Sequence, residues 1–534
     1  MHIKILIVTL AILLVDLVST GKVWGQVRES KGQNSELNST FRTSQISKQD
    51  LIKVKRIKIT GNTVFSDRVL REIVSSVEGK EVTIERILRL RTQLTNYYVD
   101  RGYVSSGAFI PSQEYTDGII EIRVIEGSLV GVEIEGLSHL KESYILSRLP
   151  ALEKPLKISK LIDSLYRLND NPLIENLEAN LVRESLGKNV LLLKLKESEP
   201  FTSQFTLRNS FSPSVGELGG TASADYHLLG YGDLVSFNFT KTDGLTRYDL
   251  GYELPFNKYD GRIGFNYTNA DSQIIEDPIS ALDIQADLQI FQFNIRQPIV
   301  VDRETEFVIE SKLELIQSET FVRDDFSFAF VDGLEDGESQ ITVLRLIQEY
   351  FNRGEQSSIA IRSQFNIGLD LFDATITKTG IDGLYWSWQG QTQWLRKLNN
   401  FLLVSSLNVQ LSSDSLLPIE QITLGGVNSV KGYRQNLSIG DNGVIGNVEL
   451  QIPLVTGKKW AFKVIPFVNG GTIWNNSSQT IESNTLFSTG LGLSYELGNT
   501  VEARIDYAFP LVEADTPEDF SAEQEFSFFL LFRP

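Results

Sequence analysis

The sequence predicts two small α+β modules followed by a large antiparallel β-barrel of the kind that spans a membrane. Three observations carry this prediction. Helical periodicity is confined to residues before about 200, where one β-α-α-β-β order occurs twice. From there to the end, apolar and polar residues alternate with period two and aromatics recur near strand ends. The chain also ends inside a strand-like segment, EQEFSFFLLFRP, where a closed barrel pairs its last strand with its first.

The first module covers residues 51–127. Val54, Ile57 and Ile59 mark a strand in VKRIKIT that stops at Gly61-Asn62. Ser66 can cap a helix with Leu70, Ile73, Val74 and Val77 on one face, and Gly79 ends it. A second helix runs from about Thr83, with Ile87, Leu90, Leu94, Tyr97 and Tyr98 inward, to Arg101-Gly102. YVSSGAFI and, after the Asp117-Gly118 turn, IIEIRVIEG read as strands. The second module, 128–199, repeats the order more weakly. LVGVEIEGL is its first strand, Lys141 to Leu149 a short helix stopped by Pro150, and NLEANLVRE and NVLLLKLKE its last strands. In its second helix Ile158, Leu161, Ile162 and Leu165 form the expected inward stripe. Each module can bury a two-layer core with helices on one sheet face.

Residues 200–534 alternate instead. Ile359, Ile361, Phe365, Ile367, Leu369 and Leu371 occupy every second place apart from Ser363, as do Phe401, Leu403, Leu407, Val409 and Leu411 around Ser405. A soluble sandwich hides one such face, and a transmembrane barrel shows it to lipid. Length favours the barrel, since several segments reach the 9 or more residues that a tilted strand needs to cross a bilayer. At about 21 residues per strand and loop, the count comes to about sixteen. The mean hydropathy of −0.09 is no objection, because a barrel wall is apolar on one side only.

Met1 to Gln26 read as a secretory leader, 1–25, cut after Gly25. A retained anchor is the alternative, since Asp16 interrupts the apolar run. Residues 26–50 read as a flexible polar segment. The chain has no cysteine, so an exported form relies on its core or on a closed sheet. The net charge of −18 argues against nucleic acid.

No catalytic constellation emerges, so no enzyme, metal or cofactor is expected. His2 lies in the leader, and His139 and His227 are isolated. GYGD at 230–233 reads as a hairpin turn, and the acidic run DGLEDGE at 332–338 as a solvated loop tip. The exceptional stretch is LGGVNSVKGYRQNLSIGDNGV, 424–444, between two predicted strands. Its apolar residues among glycines suit a loop folded into a confined space rather than surface decoration.

At these residues the chain resembles the two-partner secretion transporters, the TpsB proteins of haemolysin and haemagglutinin secretion, within the Bam-type barrel superfamily. The resemblance rests on LGG at 424–426, SVKGY at 429–433, Gly440-Asp441, Asn447, Glu449 and Pro453. The repeated modules resemble POTRA domains through ITGNTVFS, GKEVT, YYVDRGYVSSGAFIPSQ and DGIIEIRVIEG. It implies periplasmic POTRA domains, an outer-membrane barrel set in lipid, and a secreted exoprotein with an N-terminal two-partner secretion domain as partner, exported without ATP by a monomeric barrel. It also implies that loop six enters the lumen and that Val430, Lys431, Gly432 and Tyr433 meet a wall element at Phe467, Asn469 and Gly471. Lysine and asparagine replace the family's arginine and aspartate here. The expected contact is therefore a Lys431–Asn469 hydrogen bond, tightened by Asn469→Asp, or else Lys431 finds another lumenal carboxylate. The turn Arg101-Gly102-Tyr103 is expected to feed a cargo-docking edge. A barrel-assembly factor and a passive porin or adhesin are the competing functions.

Overall fold

The computed structural model describes residues 51–113, 116–323, 326–327, 337–377, 381–477, 481, 483–514 and 520–534. The leader, the segment 26–50 and the acidic tip Asp332 to Asp336 lie outside the described residues. The chain divides into two compact units, the N-terminal modules up to Ser198 and the barrel from Glu199 to Pro534.

In the first module, strand Arg56–Thr60 pairs in parallel with Ile119–Ile125, which pairs antiparallel with the edge strand Gly107–Phe109. Helices Asp67–Val74 and Ile84–Val99 cover one face. Leu70, Val74, Leu90, Leu94 and Tyr98 meet Ile57, Ile120 and Ile122 in the core. A pair of short strands, Leu51–Val54 and Lys80–Thr83, was not foreseen. The sheet partner of GKEVT lies far back in the chain, Lys80 facing Val54 and Thr83 facing Leu51, which local periodicity cannot reveal. The second module repeats the plan with strands Ser128–Glu135, Lys188–Glu197 and Ile174–Ser185. Its helix Ile158–Asn169 buries Leu161 and Leu168, whereas Ile162 is on the exposed side. At 100° per residue, Ile162 falls off the stripe drawn through 158, 161, 165 and 168.

One device occurs in both copies. Gly61 and Gly136 adopt φ of +81° and +90°, and a Cβ at either would collide with a backbone oxygen, Val124 O or Leu195 O. Two residues after each glycine, the chain turns onto a glutamate at the end of the last strand. Glu126 accepts from Thr63 N at 2.7 Å, Val64 N at 2.8 Å, the Thr63 hydroxyl and Tyr98 OH at 2.8 Å. Glu197 accepts from Ser138 N at 2.8 Å, Ser138 Oγ at 2.9 Å, His139 N at 2.8 Å and Leu140 N at 3.1 Å. Partial burial pushes both carboxyls up, but these donors outweigh it and hold them below the usual glutamate range. Burial and the neighbouring carboxylate push the Tyr98 phenol well up.

The barrel is closed by sixteen long strands, all antiparallel, from Phe201–Arg208 to Phe526–Phe532, as the alternation predicted. Its closing seam is short: Phe529 to Phe532 face Arg208 to Phe205. Asn209 reinforces it, accepting from Phe528 N at 2.7 Å and donating to Phe526 O at 3.1 Å. The wall is inside-out relative to a soluble protein. On Ile284–Val301, Phe293 is 49% exposed and its neighbour Asn294 only 2%. Cross-strand rows mark where the apolar band stops. Phe265, Phe293, Leu313 and Leu344 form one outward row, and Tyr267, Phe291 and Leu315 the next. Above them come Asn269, Gln289, Gln317 and Gln340, then Asp271, Asp287, Glu319 and Glu338. Carboxylates side by side repel one another and require water, so the last row lies outside the hydrocarbon.

Two outcomes follow from this geometry. Phe293→Arg puts a charge on the lipid face at a cost of up to about 2–4 kcal/mol, so less protein reaches the heat-modifiable, inserted form, while Gln289→Arg is tolerated. Glu126→Gln weakens the clamp by about 1 kcal/mol, read as faster hydrogen exchange at Thr63 and Val64. Because the folded pKa of Glu126 is depressed, its stabilisation is complete above the ordinary glutamate pKa. It is lost as pH falls through the lower folded value, so protection relative to the intrinsic exchange rate fades only in that acid range.

Candidate functional site

The segment between strands Phe401–Ser412 and Asn442–Thr456 folds back inside the barrel. Strands Ile422–Leu424 and Ser438–Gly440 pair to make its stem. Its tip, Gly432-Tyr433, pairs with Glu523–Gln524, just before the last barrel strand. Gly425 and Gly426 turn the chain at φ of +99° and +92°, and a Cβ at Gly425 would lie 2.5 Å from Arg434 O.

The wall beneath is read most simply as cross-strand rows. The first inward row is Ile445, Gly471 and Leu486. Leu424, Val430 and Tyr433 pack there with Ile473 in a closed apolar cluster. Gly471 is small because Leu424 sits on it: a Cβ would approach Leu424 Cδ1 to 2.8 Å. The second row is Asn447, Asn469, Ser488 and Pro510, and the third is Glu449, Phe467, Gly490 and Ala508. Phe467 lies flat across Gly490, where a Cβ would meet its Cζ at 2.3 Å.

Lys431 lands on the third row. Its Nζ donates to Glu449 Oε1 at 2.7 Å, lies 3.4 Å from Asp506 Oδ2, and stands 4.3 Å from the centre of the Phe467 ring. Arg504 completes the group, forking onto both Glu449 oxygens at 3.0 Å and reaching Asp506 Oδ1 at 2.9 Å. Two cations and two carboxylates thus neutralise one another in a buried site, each oxygen meeting a charged donor.

The expected Lys431–Asn469 hydrogen bond is not formed. Asn469 is buried one row away, and both its amide atoms and Ser488 Oγ lack a protein partner among the described residues. Consecutive inward rows stand about 6.8 Å apart along a strand, and a desolvated ammonium is stabilised better by a carboxylate than by an amide. The contact follows instead the other expectation, a lumenal carboxylate for Lys431. Glu449 was already legible as a motif residue, but Arg504 and Asp506 were not, because they lie on the Val501–Pro510 strand with no local signature.

Gly432 adopts φ of +92° with Ala508 Cβ 3.1 Å and Pro510 Cδ 3.4 Å from a Cβ built on it. Tyr433 is buried, and its hydroxyl lies 2.8 Å from Phe487 O and 2.7 Å from Val512 O, with Val512 N donating to it at 3.1 Å. A hydroxyl has one proton, so it donates to one of these carbonyls at a time.

Among the N-terminal residues singled out, the turn Arg101-Gly102-Tyr103 joins the two modules. Gly102 O accepts from Ile158 N at 2.8 Å, and Gly127 O from Leu156 N at 2.7 Å. Arg101 stacks over Tyr97 at 3.5 Å, and Tyr103 packs edge-on to Phe65 and Tyr98. The edge that this turn leads into is Gly107–Phe109, four residues further on.

Removing one member of the quartet tests its charge balance. Glu449→Ala leaves Lys431 and Arg504 sharing Asp506 alone, an imbalance worth about 3–5 kcal/mol, whereas Lys431→Ala leaves Glu449 still paired with Arg504 and costs less. Asn469→Asp adds a buried carboxylate one row from Lys431, whose ammonium is already held by Glu449 and Asp506, so it destabilises. Gly432→Ala imposes a left-handed conformation at about 1–2 kcal/mol together with crowding against Ala508. Heat-modifiable migration across a temperature series ranks all four.

Comparisons with known proteins identify the family. Residues 52–127 match the POTRA domain, ShlB-type. Residues 187–495, more than half of the chain, match haemolysin secretion/activation protein ShlB/FhaC/HecB. Similar curated proteins include the outer membrane transporter CdiB of Dickeya dadantii, 20% identical over 88% of this chain and 85% of that protein. Hemolysin transporter protein ShlB of Serratia marcescens is 23% identical over 88% and 84%. Among solved structures, CdiB from Escherichia coli superposes with a TM-score of 0.68 at 19% identity, covering 93% of each chain. The chain therefore belongs to the ShlB/FhaC/HecB family of haemolysin secretion/activation proteins, outer-membrane β-barrel transporters of two-partner secretion whose POTRA domains are periplasmic.

Proposed function

We propose that this transporter receives an unfolded exoprotein bearing an N-terminal two-partner secretion domain and passes it outward through the lumen occupied at rest by loop six. Residues 51–127 and 128–199 act as the two receiving modules, and residues 200–534 act as a monomeric pore set directly in lipid. The chain performs no chemistry on its cargo and uses no cofactor. Its site residues position the loop rather than react.

The observation that carries this reading is the seating of the loop. Val430, Lys431 and Tyr433 are all buried against the wall, so a polypeptide can share the lumen only if they are displaced or rearranged. The motif is thus a resting latch. Val430 and Tyr433 fill the apolar row around Gly471, and Lys431 engages Glu449 and Asp506 over Phe467. Asn469 serves as a buried polar spacer between the two rows.

On the periplasmic side, the edge strand Gly107–Phe109 receives an extended cargo segment, a common mode of peptide capture, and the segment displaces the Thr95 hydroxyl that accepts from Ala108 N at 3.0 Å. The Arg101-Gly102-Tyr103 turn fixes where that edge stands by tying it to the second module.

Deleting residues 51–127 separates capture from passage. The truncated protein inserts and stays heat-modifiable, but secretion of its cargo is abolished. Export of cargo at the normal rate by an inserted truncation would overturn the proposal.

A further inference from the structure

Loop six does more than rest on the wall beside its own strands. Arg434, the residue after the buried tyrosine, forks onto the Glu276 carboxylate, Nη1 to Oε1 and Nη2 to Oε2. Glu276 belongs to the connection between Arg262–Gln273 and Ile284–Val301, the fifth and sixth strands of the ring. The loop itself leaves between the eleventh and twelfth strands and lies against the twelfth to fifteenth. In a sixteen-strand ring the fifth strand is diametrically opposite the thirteenth. The Arg434–Glu276 pair therefore ties the loop to a connection that is rooted in a distant part of the ring and leans over the connection between the first and second strands, Ile275 N donating to Ser214 O at 2.9 Å.

The same guanidinium gathers two more loops. Its Nη2 lies 3.4 Å from Ser214 Oγ, in the connection between the first and second strands, and that hydroxyl is 3.5 Å from Glu276 Oε2. Its Cζ lies 5.3 Å from the Phe520 ring, between the fifteenth and sixteenth strands, and Arg434 N donates to Ala522 O at 2.9 Å. All four connections follow an odd-numbered strand, so they lie at the same end of the barrel. Short turns such as Asp302 to Glu304 occupy the other end, where the chain arrives from the modules. The gathered end is the outer one.

A second tie holds the base of the loop. Glu420 accepts from Arg345 Nη2 at 2.7 Å and Nη1 at 3.0 Å, and Arg345 lies on the eighth strand, Glu338–Arg353. The loop is thus bound by ions in three sectors. The Glu276 tie is special because neither partner is on a wall strand, so it can open without breaking the barrel's own pairing. Its side chains are only 15% and 20% exposed, so it is a desolvated fork rather than a weak surface pair.

We propose that Arg434 and Glu276 form an outer latch, distinct from the Lys431 site, that closes the mouth between loop six and the opposing loops and must release for cargo to leave. The proposal rests on the export reading above, but its first test needs no cargo. In planar bilayers, full-length Arg434→Gln and Glu276→Gln should each raise mean conductance several-fold over the unaltered protein. The charge-exchanged double variant Arg434→Glu/Glu276→Arg should return it close to the starting level, which a merely structural role would not produce. Heat-modifiable migration verifies that each variant is inserted. Unchanged conductance in both single variants, or a double variant as conductive as they are, overturns the latch and leaves the export reading untouched.

The absence of cysteine allows a second test in cells. Arg434→Cys/Glu276→Cys joined by a short, cleavable bis-maleimide should stop export, and cleavage of the linker should restore it. Normal export by the cross-linked protein overturns the latch.

Discussion

Every backbone amide that a strand carries into hydrocarbon must find its partner inside the protein, and the architecture of the barrel follows from that constraint. It forces the sheet to close, so the last strand returns to the first through the short Phe529–Phe532 seam and the Asn209 hydrogen bonds. It also inverts the usual placement of side chains. With Phe205, Phe237, Phe265, Phe293 and Leu407 turned to lipid, the alternate positions necessarily face inward, and many of them are polar. The interior is consequently a lattice of charges and amides, from Arg247 on Asp249 to Arg345 between Glu314 and Glu420.

Loop six enters that interior and has to satisfy two kinds of surface at once. Its apolar residues need a dry patch, and glycines make one: Gly471 admits Leu424, and Gly490 admits Phe467. Its lysine needs negative charge, and the wall supplies Glu449 and Asp506, already oriented by Arg504. In a site this enclosed a charge left alone is far costlier than a charge exchanged between partners, so a change of residue at one place is compensated by choice of another partner nearby. That explains how the lysine and asparagine of this chain coexist without bonding to one another. The ammonium has gone to Glu449 in the next row and Asp506 in the row beyond it.

The N-terminal modules obey the same accounting in water. Their small cores leave the loop after the first strand with unpaired amides, and a single glutamate from the last strand gathers them. The two copies use the same spacing on both sides, Gly61 to Thr63 with Val124 to Glu126, and Gly136 to Ser138 with Leu195 to Glu197. Only two residues separate strand Ile119–Ile125 from strand Ser128–Glu135. Backbone hydrogen bonds from Leu156 and Ile158 then fix one module against the next.

Much of this was determined by the sequence alone. Period-two alternation is a one-dimensional property of a wall with lipid on one side, so the barrel and its approximate strand number could be read directly. The β-α-α-β-β repeat and the glycine-rich stretch at 424–444 were equally local and equally legible. Tertiary structure decided what depends on residues far apart in sequence. It selected Glu449, Asp506 and Arg504 for Lys431, and left Asn469 one row aside, because register between strands is set by turns and bulges rather than by motif spacing. It paired GKEVT with Leu51–Val54, and it placed Arg434 against Glu276 across 158 residues. A sequence states which faces a strand must have, and only the closed ring determines which faces meet.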